Sequence, residues 1–414
     1  MISVKFDKAA ACLVCESVDL SKVFEFGIVP LADKLPRTQD ESVPSAPLTV
    51  WKCNSCGHLQ VGELVSPTIL FKHEYPYLST KIPEVDTHFR NLAELVVANC
   101  GIGSKSFVME VASNDGVFLK NLSGTVDKVF GIEPSTVPAR ACEKLGIEVS
   151  TEFFSLDLAK ELLKQFEGRH PDLILASNVL SHVPDPRGFM AGLAVLINDT
   201  GKLVVEVPYG LNMLMNGTFD SIFHQHCSYF TMHSIQRLVD HFGLCVKEVE
   251  LVKAQGGSLR LIIEKGVYTS SGSVDSLLEK EQSVPISGDN LYKRFAIGIE
   301  SHRLELTGLL QLLKSQGKTI VGYGAAGKSA TLLNYYGITD KLLEYIVDIS
   351  PSKHYRFFPF TGLEIFPVER LLKEPPDYVV ILAWNYTDEV LLSLSPLRDR
   401  GVKFIQLYPT PEVV

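Results

Sequence analysis

The chain lacks a surplus of positive charge. Against 48 aspartates and glutamates stand 39 lysines and arginines, a net charge of −9 over 414 residues. Nucleic-acid partners normally require a basic face, so they are excluded as an expectation, and so is an anionic membrane surface. No apolar run reaches the roughly 18 residues that a membrane-spanning helix needs. The opening stretch, MISVKFDKAAACLVCESVDL, has no apolar core of the kind a signal peptide carries. The expected setting is therefore the cytoplasm, and the expected partner a small molecule. Low-complexity tracts and short-period repeats are missing as well. Eight cysteines in this length do not make a disulfide scaffold. What remains is 46% hydrophobic and 21% charged, the composition of a folded chain. At about 100–200 residues per domain, that chain holds two or three domains.

The placement of the cysteines says more than their number. Cys12 and Cys15 form one C-x-x-C pair, and Cys53 and Cys56 form another. Two such knuckles supply four thiolates to a tetrahedral zinc ion. A full set of protein ligands leaves no open position, so this zinc is expected to be structural. The intervening segment, with Pro30 and Pro36, reads as loops and short strands. A redox pair or four unrelated thiols is the plainer alternative. The other cysteines, Cys100, Cys142, Cys227 and Cys245, are scattered and read as small buried side chains.

The character of the chain then changes. Phe107–Ala112 is apolar enough for a buried strand. A turn, Ser113-Asn-Asp-Gly116, leads into a helix from Val117, and a second strand, Lys128–Ile132, ends in Glu133. This is the opening of a doubly wound α/β unit. Small residues after the first strand let a ligand approach the backbone. Glu133 stands where a carboxylate accepts ribose hydroxyls, and Glu110 where one meets an amino group. Further strands, Leu173–Ala176 and Lys202–Val207, place Ser177, Asn178 and His182 at strand ends. The segment Phe219–Phe230 then carries His224, Gln225 and His226 among aromatics. Three readings stay open for it: a general base, a metal-binding pair, or ordinary buried histidines.

Residues 276–317 read as long helical material. Beyond them, the strand Lys318–Val321 runs into Gly322-Tyr-Gly324-Ala-Ala-Gly327-Lys328, with Asp348 about 20 residues on. On spacing alone this is a dinucleotide-binding fingerprint, and an NAD(P)-dependent oxidoreductase is one reading of it. Alternatively, Lys328 at a helix start grips a diphosphate. A last strand, Tyr378–Leu382, ends at Trp384, Asn385 and Tyr386.

Several stretches, taken in order, resemble the sugar C-methyltransferases that use S-adenosylmethionine (SAM) on nucleotide-linked 4-keto-deoxysugars, such as the 3-C-methyltransferases. They are E-V-A-S-N-D-G at 110–116, G-I-E-P at 131–134, S-N-V-L-S-H-V-P-D at 177–185, F-D-S-I-F-H-Q-H-C-S-Y-F at 219–230, G-G-S-L-R at 256–260 and G-Y-G-A-A-G-K at 322–328. The double C-x-x-C fits that family's zinc module. The resemblance spans nearly the whole chain. It implies an α/β protein with a zinc module at 1–70, a Rossmann-like SAM methyltransferase domain at 71–270, and a Rossmann-like C-terminal domain at 271–414 that helps bind substrate. SAM would lie among Glu110, Ser113, Asn114, Gly116, Glu133, Phe153, Phe154 and Ser177. His226 would be catalytic, with His182, Asn178 and Tyr77 facing the reacting sugar. His224, Arg260, Lys328 and Asn385 would contact the rest of a nucleotide-diphosphate sugar. The chain departs from the family at Ser177, Phe223, Gln225 and Gln255, where that family usually has Asn, Tyr, Glu and His. These departures bear on the substrate and on the atom methylated, and an O- or N-methyltransferase remains an alternative.

Overall fold

The computed structural model describes residues 2–72, 78–81, 83–269, 271–284 and 289–414. Its N-terminal part is built on two long antiparallel strands, Leu20–Pro30 and Pro44–Cys53. These are longer than the loops and short strands expected between the cysteine pairs. Pro30 and Pro44 stand at strand ends, where a missing N–H breaks little of the ladder, and Pro47 lies inside the second strand opposite Ile28, at a register irregularity. Leu48, Val50 and Val29 are buried between them and the rest of the molecule.

The central part is a seven-stranded sheet. Its order is Leu244–Val252, Ser258–Lys265, Lys202–Pro208, Leu173–Ser177, Phe107–Val111, Lys128–Ile132 and Glu148–Ser150. The last five strands are parallel, and Ser258–Lys265 runs antiparallel to both its neighbours. Helices cover both faces, which is why Phe107–Val111 is buried at every position and reads as a continuous apolar run. Local chemistry fixes the helix starts. Asp185 accepts the Gly188 N–H ahead of Pro186–Leu196, Ser155 caps Leu156–Gln165, and Thr231 with Ser234 forms a capping box for Met232–Asp240. The chain reverses its direction of winding between Phe107–Val111 and Leu173–Ser177, and ligand crevices of open α/β sheets lie at such a switch point.

Helices Gly272–Ser283 and Asp289–Ser315 lead to a second α/β unit. Its strand order is Ile365–Pro367, Ile346–Asp348, Ile320–Tyr323, Tyr378–Ile381, Lys403–Gln406 and Glu412–Val413, parallel except for the last. Among the described residues, no helix is long and apolar enough to cross a membrane.

One segment touches all three parts. Ser228–Tyr229, from the central part, adds as a strand beside Leu59–Val61 of the N-terminal sheet. Just before it, Phe219 stacks on Phe26 at 5.9 Å, and Phe26 meets Tyr335 edge-on at 5.2 Å. Aromatics from all three parts thus close over the same point, where their large areas bury well.

Gly62 is held by this packing. A methyl group there would fall 2.3 Å from Thr49 Oγ1 and 2.5 Å from Trp51 Nε1. Those groups belong to a buried network in which Thr49 donates to Glu63 and Trp51 donates to Thr49. Gly62→Ala is expected to destabilise the fold by about 1–3 kcal/mol through overpacking, read as a lower urea midpoint by circular dichroism. An unchanged midpoint would contradict this packing.

Candidate active site

A cleft of about 2670 Å³ opens between the three parts. Strand ends of the central sheet form its floor, the loop around Asp33–Pro44 one wall, and the turns after Tyr323, Asp348 and Leu382 the other.

On the floor, Glu110 ends the first strand fully buried, and its Oε2 has no hydrogen-bond partner among the described residues. Burial, then the carboxylates of Asp115, Glu133 and Glu206, push its pKa well above the ordinary value. Such a group is poised to receive a cation. Glu133 ends the second strand, and its carboxylate accepts the Asn114 N–H at 3.0 Å and the Ser135 N–H at 2.7 Å. Burial raises its pKa against those bonds. The turn between them holds Ala112 (φ 59°), Asn114 (φ 48°) and Gly116 (φ 77°) in left-handed geometry, so the chain bends sharply beneath the crevice. Gly116 is the hinge of that turn and does not line the cleft. A side chain there would meet Cys142 Sγ at 2.8 Å. Phe153 and Phe154 line the far end, with Phe154 edge-on to Phe189 at 5.1 Å.

Ser177 donates to Glu206 at 2.8 Å, and Asn178 follows in left-handed geometry with its Oδ1 unpartnered among the described residues. Glu206 is the anchor of this corner. It also accepts Arg260 Nε at 2.6 Å and pairs with His88 Nε2 at 2.8 Å. Arg260 pairs further with Glu250 at 3.0 Å and does not line the cleft. Its guanidinium is committed within the sheet, away from the position expected of a phosphate partner.

The segment Phe219–Phe230 supplies the two facing imidazoles. A turn closes where the His226 N–H bonds the Phe223 carbonyl at 2.9 Å. The backbone is therefore not extended, and the i, i+2 histidines part company. His224 is buried and bonds the Pro47 carbonyl at 3.0 Å, outside the cleft. His226 lines the cleft. Its Nδ1 lies 2.8 Å from the Ser221 carbonyl, which accepts only, so Nδ1 carries the proton and Nε2 the lone pair. His182 repeats the arrangement, with Nδ1 donating to the Gln225 carbonyl at 2.7 Å. The two rings meet edge-on at 4.8 Å, and Phe223 lies against His226 at 4.2 Å. Burial lowers both pKa values, and His182 and the Lys328 charge lower that of His226 further. Both rings are thus neutral bases at neutral pH. Tyr77 lies outside the described residues.

The glycine-rich turn faces the same space. Asp348, at the position of a dinucleotide-binding acid, already accepts the N–H groups of Ala325 and Ser350 at 2.8 Å each, with Lys353 3.4 Å away. Lys328 donates to Asn385 Oδ1 at 2.6 Å and lies 4.4 Å above the Trp384 ring. Sequence reasoning missed Asp220, whose carboxyl accepts the Trp384 indole N–H at 2.8 Å. It also missed Glu206 and His88. Their only signal was position, a carboxylate inside an apolar strand and a histidine in a long amphipathic helix.

The four cysteines come together. Cys12 Sγ lies 3.6 Å from Cys56 Sγ, Cys15 Sγ 3.6 Å from Cys53 Sγ, and all four sulfurs fall within 4.8 Å of one another. A zinc ion with bonds of about 2.3 Å sets its sulfurs about 3.8 Å apart, so the set fits. Gln60 braces the first knuckle, accepting from Leu13 N and donating to the Ala11 carbonyl.

Burial alone would raise the Glu206 pKa, but His88 and Arg260 outweigh it and hold the carboxyl below its ordinary value. Stability from these pairs is then full above the unfolded value of 4.5 and lost as the pH falls through the lower folded value. Glu206→Gln is expected to cost about 1–3 kcal/mol at neutral pH, with the gap from wild type closing in acid. Urea unfolding at two pH values measures it, and a gap that widens in acid would contradict the assignment.

Comparison with known proteins agrees with this layout. Residues 12–71 match a family described as a zinc binding domain, 87–249 a methyltransferase domain, and 253–409 the C-methyltransferase C-terminal domain. The chain is 29% identical over 409 residues to the C-methyltransferase NovU of Streptomyces niveus, covering 97% of this chain and 96% of that one. It is 24% identical over 164 residues to a ubiquinone biosynthesis O-methyltransferase of Cupriavidus pinatubonensis, covering 36% of this chain and 64% of that one. Among solved structures, the magnesium protoporphyrin IX methyltransferase of Synechocystis PCC 6803 with bound SAM aligns at 13% identity and a TM-score of 0.32, over 43% of this chain and 77% of that one. The chain is a SAM-dependent methyltransferase of the C-methyltransferase type, with a four-cysteine zinc-binding module ahead of its methyltransferase domain.

Proposed function

We propose that this enzyme methylates a carbon next to the ketone of a nucleotide-linked 4-keto-deoxysugar, with His226 as the base, in the cytoplasm. The observation that carries the reading is the locked tautomer of His226. Its Nδ1–H is tied to the Ser221 carbonyl, which leaves Nε2 as a lone pair in the cleft. A sugar C–H becomes acidic enough to lose its proton when a ketone stands beside it, so C-methylation there calls for such a base. SAM, when bound, supplies an electrophilic methyl group. The rest is done by the chain. Glu110 receives the ammonium group of SAM, Glu133 its ribose, and Phe153 and Phe154 its adenine, with Ser113, Asn114 and Ser177 around them. His182 and Asn178 hold polar groups of the sugar, and Asn385 contacts it from the C-terminal side. A cleft shared by three parts has room for both ligands, and holding both carbons in one pocket supplies much of the acceleration. The working domains are 1–70, 71–270 and 271–414.

Two outcomes test the reading. His226→Asn is expected to lower kcat about 10²–10⁴-fold while leaving SAM affinity within about twofold. The acid limb of wild-type kcat/KM is expected below the ordinary imidazole value of 6.5, because the His226 pKa is lowered. Wild-type turnover in the variant would remove His226 from the role. The second outcome concerns Glu110. Meeting an ammonium group lowers its raised pKa, so SAM binding should expel up to about one proton. Calorimetry in buffers of differing ionisation enthalpy reads this release. Glu110→Gln should abolish it and weaken SAM about 10–100-fold. Unchanged affinity would contradict the placement.

A further inference from the structure

Four side chains outside the proposed base and SAM groups hold the segment that carries His226 or line the cleft with it, and three of them come from the C-terminal part. The helix Ser329–Tyr336 is pinned to the histidine segment where Thr331 Oγ1 donates to the Ile222 carbonyl at 2.6 Å. Trp384 is pinned to the same segment through Asp220, the residue before the carbonyl that holds the His226 ring. Lys328, just ahead of the helix, lies over Trp384 and donates to Asn385. An ammonium group has three N–H donors, and that bond is the one hydrogen bond from Lys328 among the described residues. Lys328 and His226 both line the cleft.

A diphosphate is a poor match for this position. Several N–H groups around the helix start are already engaged. Ser329 bonds the Ala326 carbonyl at 3.0 Å, Ala330 that of Gly327 at 3.1 Å, and Thr331 that of Lys328 at 3.2 Å. Ala325 is engaged by Asp348. The buried Asp220 carboxyl, which raises the Lys328 pKa from across the cluster, would repel a phosphate. A single polarised oxygen suits the site better.

We propose that Lys328 hydrogen-bonds the ketone oxygen of the substrate and holds the charge that develops there, so that base and electrophile come from different domains. The inference rests on the ketosugar reading above. His226 Nε2 takes the proton from the carbon beside the carbonyl. The C–H electron pair forms the carbon–carbon double bond, and the carbonyl π pair moves to the oxygen, where Lys328 donates. The oxygen pair then re-forms the carbonyl, the carbon–carbon π pair becomes the new bond to the methyl group, and the carbon–sulfur pair leaves with sulfur. The proton leaves His226 to solvent. A base whose pKa is lowered abstracts a carbon-bound proton only with strong help at the oxygen, and Lys328 is placed to give it. Burial brings its own pKa down to about 8, with Asp220 opposing, so it remains largely charged near neutral pH.

The test uses the full-length, zinc-loaded enzyme and thymidine-diphosphate 4-keto-6-deoxyglucose as probe. Two readings are taken: steady-state methylation, and deuterium uptake into the probe in D₂O with S-adenosylhomocysteine in place of SAM. Lys328→Met is expected to lower both kcat and the exchange rate about 10²–10³-fold, with KM within about threefold. Lys328→Arg, which keeps the charge, should recover part of both. An NMR titration gives a readout that a structural role would not move. The His226 ring meets His182 and the Ser221 carbonyl, and the Lys328 charge acts on it across the cleft. Losing the Lys328 charge should therefore raise its pKa. A KM raised tenfold or more with kcat intact would make Lys328 a phosphate grip and overturn the proposal. So would unchanged exchange. A wild-type enzyme that binds SAM yet neither exchanges nor methylates the probe overturns the ketosugar reading itself, and the proposal falls with it.

Discussion

Everything in the cleft depends on how the backbone of Phe219–Phe230 is held. Its own bonds, His226 N to the Phe223 carbonyl and His226 Nδ1 to the Ser221 carbonyl, set the local turn, and contacts from outside fix it in place. From the N-terminal side, Val61 N bonds the Cys227 carbonyl at 3.0 Å, Pro47 takes the His224 ring, and Leu59–Val61 pairs with Ser228–Tyr229. From the C-terminal side, Thr331 and Trp384 take hold at Ile222 and Asp220. The central sheet contributes the Ser181 carbonyl, which accepts Cys227 N at 2.7 Å. The turn that aims His226 is therefore specified by three separate bodies. This is how a short, largely irregular stretch keeps one geometry.

The zinc site belongs to the same chain of constraint. Cys53 N bonds the His58 carbonyl at 2.8 Å, and the buried His58 ring meets Ser228 Oγ at 3.2 Å. Gln60 reaches back to the first knuckle while its backbone lies in the strand that pairs with Ser228. A small module with few core residues gains rigidity from a metal. Here that rigidity is passed, through one strand, to within two residues of His226. The electrostatics follow a similar logic. Glu206 is fully satisfied by His88, Ser177 and Arg260, whereas Glu110, close by, is left with an orphaned oxygen. The first arrangement stabilises the fold, and the second stores a demand for a cation.

Much of this was legible in the sequence, for physical reasons. Cysteine pairs constrain one another at short range, and they came together as their spacing required. Buried parallel strands read as apolar runs, so Phe107–Val111, Lys128–Ile132 and Tyr378–Ile381 stood out. The antiparallel pair Leu244–Val252 and Ser258–Lys265 did not, because its faces are unequally covered and its pattern is broken by a bulge after Val246. The histidine pair shows where local reading stops. Spacing of two puts His224 and His226 together only on an extended backbone, and a turn set by distant contacts separates them. Arg260 was a cation without a visible partner until the sheet brought Glu206 and Glu250 beside it. Asp220 and Trp384, 164 residues apart, could be joined only by the fold.

The account turns on the claim that the zinc module and the histidine segment are one mechanical unit. Hydrogen–deuterium exchange of the intact protein, before and after zinc is stripped by a chelator, measures it directly. The account predicts that exchange in residues 219–230 rises together with that in residues 12–61, while the strands Phe107–Val111 and Leu173–Ser177 keep their protection. Faster exchange confined to residues 12–61, with 219–230 unchanged, would contradict it.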